Sequence, residues 1–414
     1  MPHDRTATLI VGAGPYGLSL AAYCKAHRLD HVLVGEPMGF WRRHMPAGMQ
    51  LRSTAEWHLD PQGDHTLLAY FDTRGGPPRG AGDPIALADY LGYADWFARQ
   101  QGIRARPARL QCLERETRGR CRFLARFEDG RELQAEQVVV ATAFGACRHL
   151  DEAHAALLKG HPFCHAQDTV DFAPFAGRSL LIVGGRQSAF EWAALAAEAG
   201  AAEVHVCHRH PSPAFEAADW RWVDPLLARL EACPGWYRRL PEAEKQDIAG
   251  RMWAIGRGRL EPWLAPRIAR PEVQLWPCTE VVGAEPGISG QVVVSLSSGQ
   301  RLPVHQVILA TGYRTEVRRL GFLERGGLLP ALDTVGGYPV LNERFESTLA
   351  GLYFTNRFAS RDFGGFFDFT AGCRAGARLL GAALLQQAPA SACRGAARAE
   401  GPALPSPSTS KGRT

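Results

Sequence analysis

The residues best placed to do chemistry are glycines. Gly12-Ala13-Gly14-Pro15-Tyr16-Gly17 spells G-x-G-x-x-G. In that pattern the first glycine makes a tight turn, the second admits a pyrophosphate close to the backbone, and the third lets a helix pack on its strand. Pro15 and Tyr16 open the helix, whose free N–H groups and partial positive charge face an anion. Glu36 stands 19 residues after Gly17, at the expected end of the next strand. A carboxylate there accepts hydrogen bonds from a ribose 2′-hydroxyl and repels a 2′-phosphate. The site therefore suits FAD or NAD. The alternative for Glu36 is a solvated loop acid.

A second loop departs from this pattern. Gly184-Gly185-Arg186-Gln187-Ser188-Ala189 lacks the third glycine and offers Ser188 and Ala189 as small residues instead. Arg186 suits either a phosphate or solvent. The strand that follows ends in Cys207-His208-Arg209-His210, with no acid. Arg209 stands where a 2′-phosphate would lie, and guanidinium binds phosphate well. This site is expected to take NADPH rather than NADH, with His208 and His210 expected at the surface.

The elements that must hold these loops repeat along the chain. Residues 7–11 (ATLIV) read as a strand, 16–27 as a helix and 31–34 as a strand, a βαβ unit. Residues 179–183, 188–199 and 203–207 repeat it. Each unit is followed by a hairpin, with Asp129-Gly130 in the first and Ser298-Gly299 in the second. An apolar strand comes next, at 137–142 and 306–311. Gly12 to Gly184 is 172 residues, while Gly130 to Gly299 and Ala141 to Ala310 are each 169. This implies an α/β chain with two Rossmann-like dinucleotide-binding domains of one build.

The expected division is an FAD domain over 1–165 and 306–386, interrupted by an NADPH domain over 176–305. An insert at 211–270 carries Trp220, Trp222, Trp236, Trp253 and Trp263, and reads as short helices broken by prolines. Residues 387–414, rich in Pro, Ala, Ser and Gly, read as a disordered tail.

Composition excludes several classes. The 414 residues are 46% hydrophobic and 21% charged, which fits a globular chain of two to three domains rather than a disordered, coiled-coil or collagen-like one. Of the net charge of +5, three units come from the tail, so the near-neutral body carries no nucleic-acid footprint. No apolar run nears the ~20 residues of a membrane span, and no signal-peptide pattern is visible. The ten cysteines show no C-x-x-C and no zinc-type spacing with histidine, so a reducing cytoplasm and free thiols are expected.

Two dinucleotide sites in one chain imply a relay in which flavin takes hydride from a visiting nicotinamide. Without C-x-x-C, iron–sulfur or haem motifs, molecular oxygen is the acceptor that needs no further machinery.

These residues resemble the class B flavin-dependent monooxygenases, in particular the lysine/ornithine N-hydroxylase-like branch. The resemblance spans roughly residues 7–385. It rests on GAGPYGLSLA from Gly12, FWRRHMP from Phe40, GGRQSAFE from Gly184 and LATGY from Leu309. It departs at Ala141–Ala143, which read ATA where ATG is usual. It also lacks F-x-G-x-x-x-H-x-x-x-W/P, since Gly160 and His165 are one residue too far apart.

The resemblance implies FAD and NADPH as cofactors, a C4a-hydroperoxide of the flavin, and oxygenation of a small molecule, with amine N-hydroxylation as one form. It places residues 45–52 beside the isoalloxazine. Gln50 and Arg52 are then candidate catalytic residues, and Trp41, Met49, Thr311, Gly312, Tyr313 and Phe366 candidate cofactor contacts. Gln50 and Arg52 equally suit a structural salt bridge or a surface position. A helix at 370–384 is implied to face the flavin's pyrimidine edge, with phenylalanines 358, 363, 366, 367 and 369 either lining a pocket or packing a core. The alternatives are a flavin dehydrogenase or reductase with a non-oxygen acceptor, and a non-catalytic nucleotide sensor.

Overall fold

Strand Asp4–Val11 is flanked on both edges by parallel strands, pairing Leu9 with Val32 on one side and with Val138 on the other. Central parallel strands are covered on both faces, which is why Leu9 and Ile10 are both fully buried. The computed structural model describes residues 4–387, apart from 76–78, 81–82, 117–121 and 143. Of the tail expected at 387–414, Gln387 ends helix Gly372–Gln387, and the rest, with Ala143 of the ATA segment, lies outside the described residues.

The first sheet runs Ala105–Arg106, His31–Val34, Asp4–Val11, Glu132–Val140, Phe123–Phe127, Leu110–Arg115. The sequence suggests a hairpin strand and then a separate apolar strand, but Glu132–Val140 is a single strand doing both jobs. Its first half pairs antiparallel with Phe123–Phe127, and its last three residues pair parallel with Leu352–Phe354. The chain therefore returns to this sheet near its end.

The second sheet is parallel throughout, in the order Val273–Pro277, Glu203–His208, Ser179–Val183, Gln306–Leu309, Phe163–His165. Here the hairpin and the final strand are split. Val281–Pro286, Val292–Leu296 and Arg301–Val304 form their own antiparallel sheet, and Gln306–Leu309 alone enters the parallel one. The boundaries expected at 165 and 306 fall inside this second sheet. Along Ser179–Val183 alternate residues point to opposite faces. Leu180 and Ile182 join the core under helix Gln187–Glu198, whereas Leu181 and Val183 join the core under the antiparallel sheet.

The two glycine loops open helices of equal length, Pro15–Ala26 and Gln187–Glu198. The first packs on helix Gly372–Gln387, where Ser19 Oγ donates to the Cys373 carbonyl at 3.3 Å. The approach is close because Gly381 leaves room for the Tyr23 ring.

The insert folds into helices Asp224–Ala232, Trp236–Arg239, Glu242–Gly256 and Ala265–Ile268. Pro225 sits in the first turn of one helix and Pro241 caps another, positions where a missing N–H costs nothing. Most of its apolar face joins the first module's core, through Trp220, Val223, Leu227, Leu230, Trp236, Tyr237 and Met252. Trp220 packs, tilted, 5.5 Å from Trp57 and 5.3 Å from Phe369. Phe358, Phe363, Phe366 and Phe367 are fully buried and pack as core, with Phe345 and Phe363 stacked at 3.6 Å.

Candidate active site

The first loop has the geometry that its glycines suggest. Gly12 adopts φ +112°, in the range that side chains avoid. A Cβ on Gly17 would stand 1.8 Å from the Gly12 carbonyl oxygen, so this glycine lets helix meet strand. A Cβ on Gly14 would meet nothing within 4 Å, so the backbone there borders open space at a helix N-terminus. Pro15 is buried in the first helical turn. Tyr16 turns inward, its hydroxyl 2.9 and 2.8 Å from the Phe367 and Phe369 carbonyls, to which it donates. Burial pushes its phenol pKa well up, so it stays protonated. Glu36 lies just past strand His31–Val34 and ion-pairs with Arg43.

The second loop is built differently. Gly184 has φ +150° and sits against the Ala310 carbonyl. The residue 172 positions after Gly14 is Arg186, which caps helix Gln187–Glu198 and is followed by Gln187 and exposed Ser188. Gly185 is tightly enclosed, because the His208 and His210 rings fill the space a Cβ would take. This corrects the expectation for the histidines. His208 is buried and donates from Nδ1 to the His210 carbonyl at 2.7 Å, while His210 is half-buried. Desolvation lowers the His208 pKa and holds it neutral. Arg209 alone of the three is exposed.

The modules meet where residues 44–52 cross onto helix Gln187–Glu198. His44 Nδ1 donates to the Gln167 carbonyl at 3.0 Å. Met49 packs on the second module's core, and Gly48 lies against Leu195. The Gln50 backbone N–H donates to Glu191 Oε1 at 2.8 Å. Glu191 is almost fully buried, and desolvation pushes its carboxyl pKa up to about 8. Arg52 is occupied rather than free. Its Nε pairs with Glu261 Oε1 at 2.9 Å, and its Nη atoms donate to the Gly256 and Ile255 carbonyls at the end of helix Glu242–Gly256. Glu261 N–H in turn donates to Gln187 Oε1 at 3.1 Å.

Of the remaining candidates, Trp41 and Phe366 join the first module's core, whereas Thr311, Gly312 and Tyr313 follow strand Gln306–Leu309 of the second sheet. Trp41 packs 5.1 Å from Tyr90. Thr311 Oγ1 donates to the His149 carbonyl, and Gly312 accepts from His165 Nε2 at 3.1 Å. Tyr313 stands edge-on to Phe144 at 5.3 Å, beside Phe40 at 6.1 Å. Phe366 is buried edge-on against Tyr237.

Several buried polar groups had an environment that was not legible in the chain. Arg357 is buried with no carboxylate partner among the described residues. It donates to Thr315 Oγ1 and the Tyr313 carbonyl, and its guanidinium lies 5.5 Å from the Phe144 ring. Asp368 Oδ1 is buried without a partner, between the two carbonyls that Tyr16 holds. Gln50 Oε1, Thr54 Oγ1 and Gln187 Nε2 are likewise buried and unpaired. Such atoms are costly unless something else satisfies them. Asp368 lies beside Tyr16 of the first loop and Gln187 opens the helix of the second, so an unpaired polar atom stands at each loop and the residues present would fit a dinucleotide at both. Glu191 had one visible signal, an acid between Phe190 and Trp192 in the otherwise apolar run of residues 189–197. Arg357 and Asp368 had none.

The family described as pyridine nucleotide-disulphide oxidoreductase matches residues 9–233. No curated protein matches the chain by sequence. Among solved structures, the chain is similar to a flavin-containing monooxygenase from Stenotrophomonas maltophilia, with 20% identity, TM-score 0.62 and coverage of 92% of this chain and 99% of that one. It is similar to an ornithine N-hydroxylase from Kutzneria sp. 744 with reduced FAD, NADP+ and L-ornithine, at 15% identity, TM-score 0.71 and coverage of 93% and 99%. It also resembles a bacillithiol disulfide reductase from Bacillus cereus, at 15% identity, TM-score 0.61 and coverage of 92% and 99%. At these identities the likeness is one of fold. No helix among the described residues is long and apolar enough to cross a membrane.

Two predictions follow from this geometry. Gly17→Ala forces a side chain into the Gly12 carbonyl and is expected to destabilise the cofactor-free protein by at least about 1–3 kcal/mol. Gly14→Ala should change its melting by less than about 0.5 kcal/mol while weakening FAD binding, because its Cβ enters only the crevice. Equal melting temperatures for the two variants would refute the assignment. The second concerns Glu191, whose carboxyl moves from an ordinary 4.5 to about 8 in the fold. Across that interval the unfolded chain sheds a proton that the folded chain keeps, so stability declines as pH rises. Glu191→Gln should flatten that decline in a melting-temperature series, and parallel curves would show an ionised Glu191.

Proposed function

The chain belongs to the pyridine nucleotide-disulphide oxidoreductase family, and from that premise we propose that it is an FAD- and NADPH-dependent monooxygenase acting on a small molecule. The first substrate class to test is an amine. One observation carries this reading. Residues 48–50, which follow the first βαβ unit in the chain, lie directly on the helix that the second loop opens. Two dinucleotides bound at these loops would bring their reacting rings to one junction, as hydride transfer requires.

The first crevice would hold FAD through Gly12, Gly14 and Gly17 at the pyrophosphate and Glu36 at the ribose. The second would hold NADPH through Gly184, Gly185, Arg186, Gln187 and Ser188, with Arg209 for the 2′-phosphate. When bound, FAD supplies the two-electron chemistry that links NADPH oxidation to oxygen.

The chain's own residues do the rest. Phe40, Phe144 and Tyr313 form an aromatic wall that limits water at the strand ends. Arg357 brings a fixed positive charge to the same region. Asp368 Oδ1 offers an acceptor and the Gln50 amide a polar group toward the junction. Glu191 holds its proton at neutral pH and keeps residues 48–52 in place. Arg52 is a positioning residue, since its donors are already engaged. Fold likeness to an N-hydroxylase crystallised with FAD and NADP+ supports these cofactors. The absence of C-x-x-C supports oxygen over a disulfide as the acceptor. Eight free thiols among the described cysteines support a reducing cytoplasm.

The test supplies the FAD-loaded protein with NADPH, isotopically labelled oxygen and a panel of primary amines. Labelled oxygen in an amine product, in proportion to the NADPH consumed, is the expected result. NADPH oxidation with only hydrogen peroxide across the panel, together with fast turnover on an artificial electron acceptor, would replace this reading with a dehydrogenase or reductase. Failure to oxidise NADPH at all would remove the second cofactor.

A further inference from the structure

Three guanidinium groups converge at the N-terminus of helix Gln187–Glu198. Arg186 caps that helix, Arg209 follows strand Glu203–His208, and Arg257 follows helix Glu242–Gly256 of the insert. Arg186 Nη1 donates to the Arg257 carbonyl at 3.2 Å, and its guanidinium lies 4.7 Å over the Trp253 ring. Among the described residues no carboxylate lies within ion-pair distance of any of the three. The neighbouring Arg259 and Arg267, by contrast, are paired with Glu216 and Glu198.

Burial and the charges of Arg257 and Arg209 together depress the Arg186 pKa. The helix end adds its own positive potential. Gln187, 9% exposed, leaves its Nε2 buried and unpaired in the same first turn. The place thus collects donors and positive charge, with no carboxylate paired to any of the three arginines among the described residues. Trp253 is 51% exposed although it is the largest kind of apolar side chain. Arg186 is half-buried while Arg209 and Arg257 face solvent, so like charges gathered at one helix end favour an anion arriving from solution.

We propose that the insert is part of the nicotinamide dinucleotide site, with Arg257 joining Arg186 and Arg209 around a phosphate group and Trp253 forming the wall of that pocket. The occupant is a phosphate ester of the dinucleotide, either its 2′-phosphate or its pyrophosphate. This rests on the reading that the second loop takes NADPH. It adds a consequence for the insert. Helix Glu242–Gly256 is already tied to the first module, because Arg52 caps its last carbonyls. A phosphate held by Arg257 ties the same end to the second module. The dinucleotide then locks the insert across the cleft while it is bound.

The test is calorimetric titration of the FAD-loaded full chain with NADP+ and, separately, NAD+. Wild type, Arg257→Ala, Arg257→Lys and Arg209→Ala are compared, with thermal melting as the check on folding. Arg257→Ala is expected to weaken NADP+ by about tenfold or more, the equivalent of one charge-assisted hydrogen bond. Arg257→Lys should recover much of that loss. NADP+ should also change tryptophan emission in wild type and much less in Trp253→Phe. A loss confined to NADP+ identifies the 2′-phosphate, and an equal loss for NAD+ identifies the pyrophosphate. Either supports the proposal. Tight NADP+ binding by wild type with an unchanged Kd in Arg257→Ala would overturn it and leave the NADPH reading standing. If wild type binds neither nucleotide, the NADPH reading falls, and the proposal with it.

Discussion

The buried pair between Arg52 and Glu261 is the constraint on which the rest of the arrangement depends. Their side chains are 15% and 11% exposed, so both charges have lost most of their water. Such a pair stabilises only where geometry is good and the remaining donors are satisfied. Here they are, because Arg52 also donates to the last carbonyls of helix Glu242–Gly256, and Glu261 N–H reaches Gln187. One side chain therefore joins the first module, the insert and the first turn of the second module's helix. Residues 48–52 are held in place, and the cleft between the loops has a defined width.

Around that tie the chain uses one build twice with opposite polarity. The first loop leaves its second position open as Gly14, and the strand beside it is followed by Glu36. The second puts Arg186 at the corresponding position, encloses Gly185 with His208, and follows its strand with Arg209. At the loops themselves the difference lies in side chains, because both helices have the same length and both loops follow a strand paired in parallel with the next. An acid by an open crevice favours a ribose hydroxyl, and three cations at a helix end favour a phosphate.

The modules also exchange edges. Leu352–Phe354 completes the first sheet from the far end of the chain, and Phe163–His165 completes the second from before its glycine loop. Each module thus needs a strand from beyond its own contiguous stretch. Such long-range pairing couples their folding, since a non-local edge forms only after the intervening chain has collapsed.

The two βαβ units, their glycine turns and the proline-broken insert were all legible in the amino-acid sequence. These features follow from local rules. A β-branched run makes a strand, a glycine meets a positive φ, and a proline opens a helix or ends one. The pairing of Glu36 with one loop and Arg209 with the other was legible too, because each lies at a short spacing from its strand. Which residues face one another across the cleft was decided only by tertiary structure. Gln50 to Glu191 spans 141 residues and Arg52 to Glu261 spans 209, distances over which no periodicity carries information. The state of Arg52, the burial of His208, the raised pKa of Glu191 and the meeting of Arg186 with Arg257 depend on desolvation and on neighbours brought together by folding. A linear sequence lists those side chains, and only the packed molecule sets the dielectric and the partners that determine what they can do.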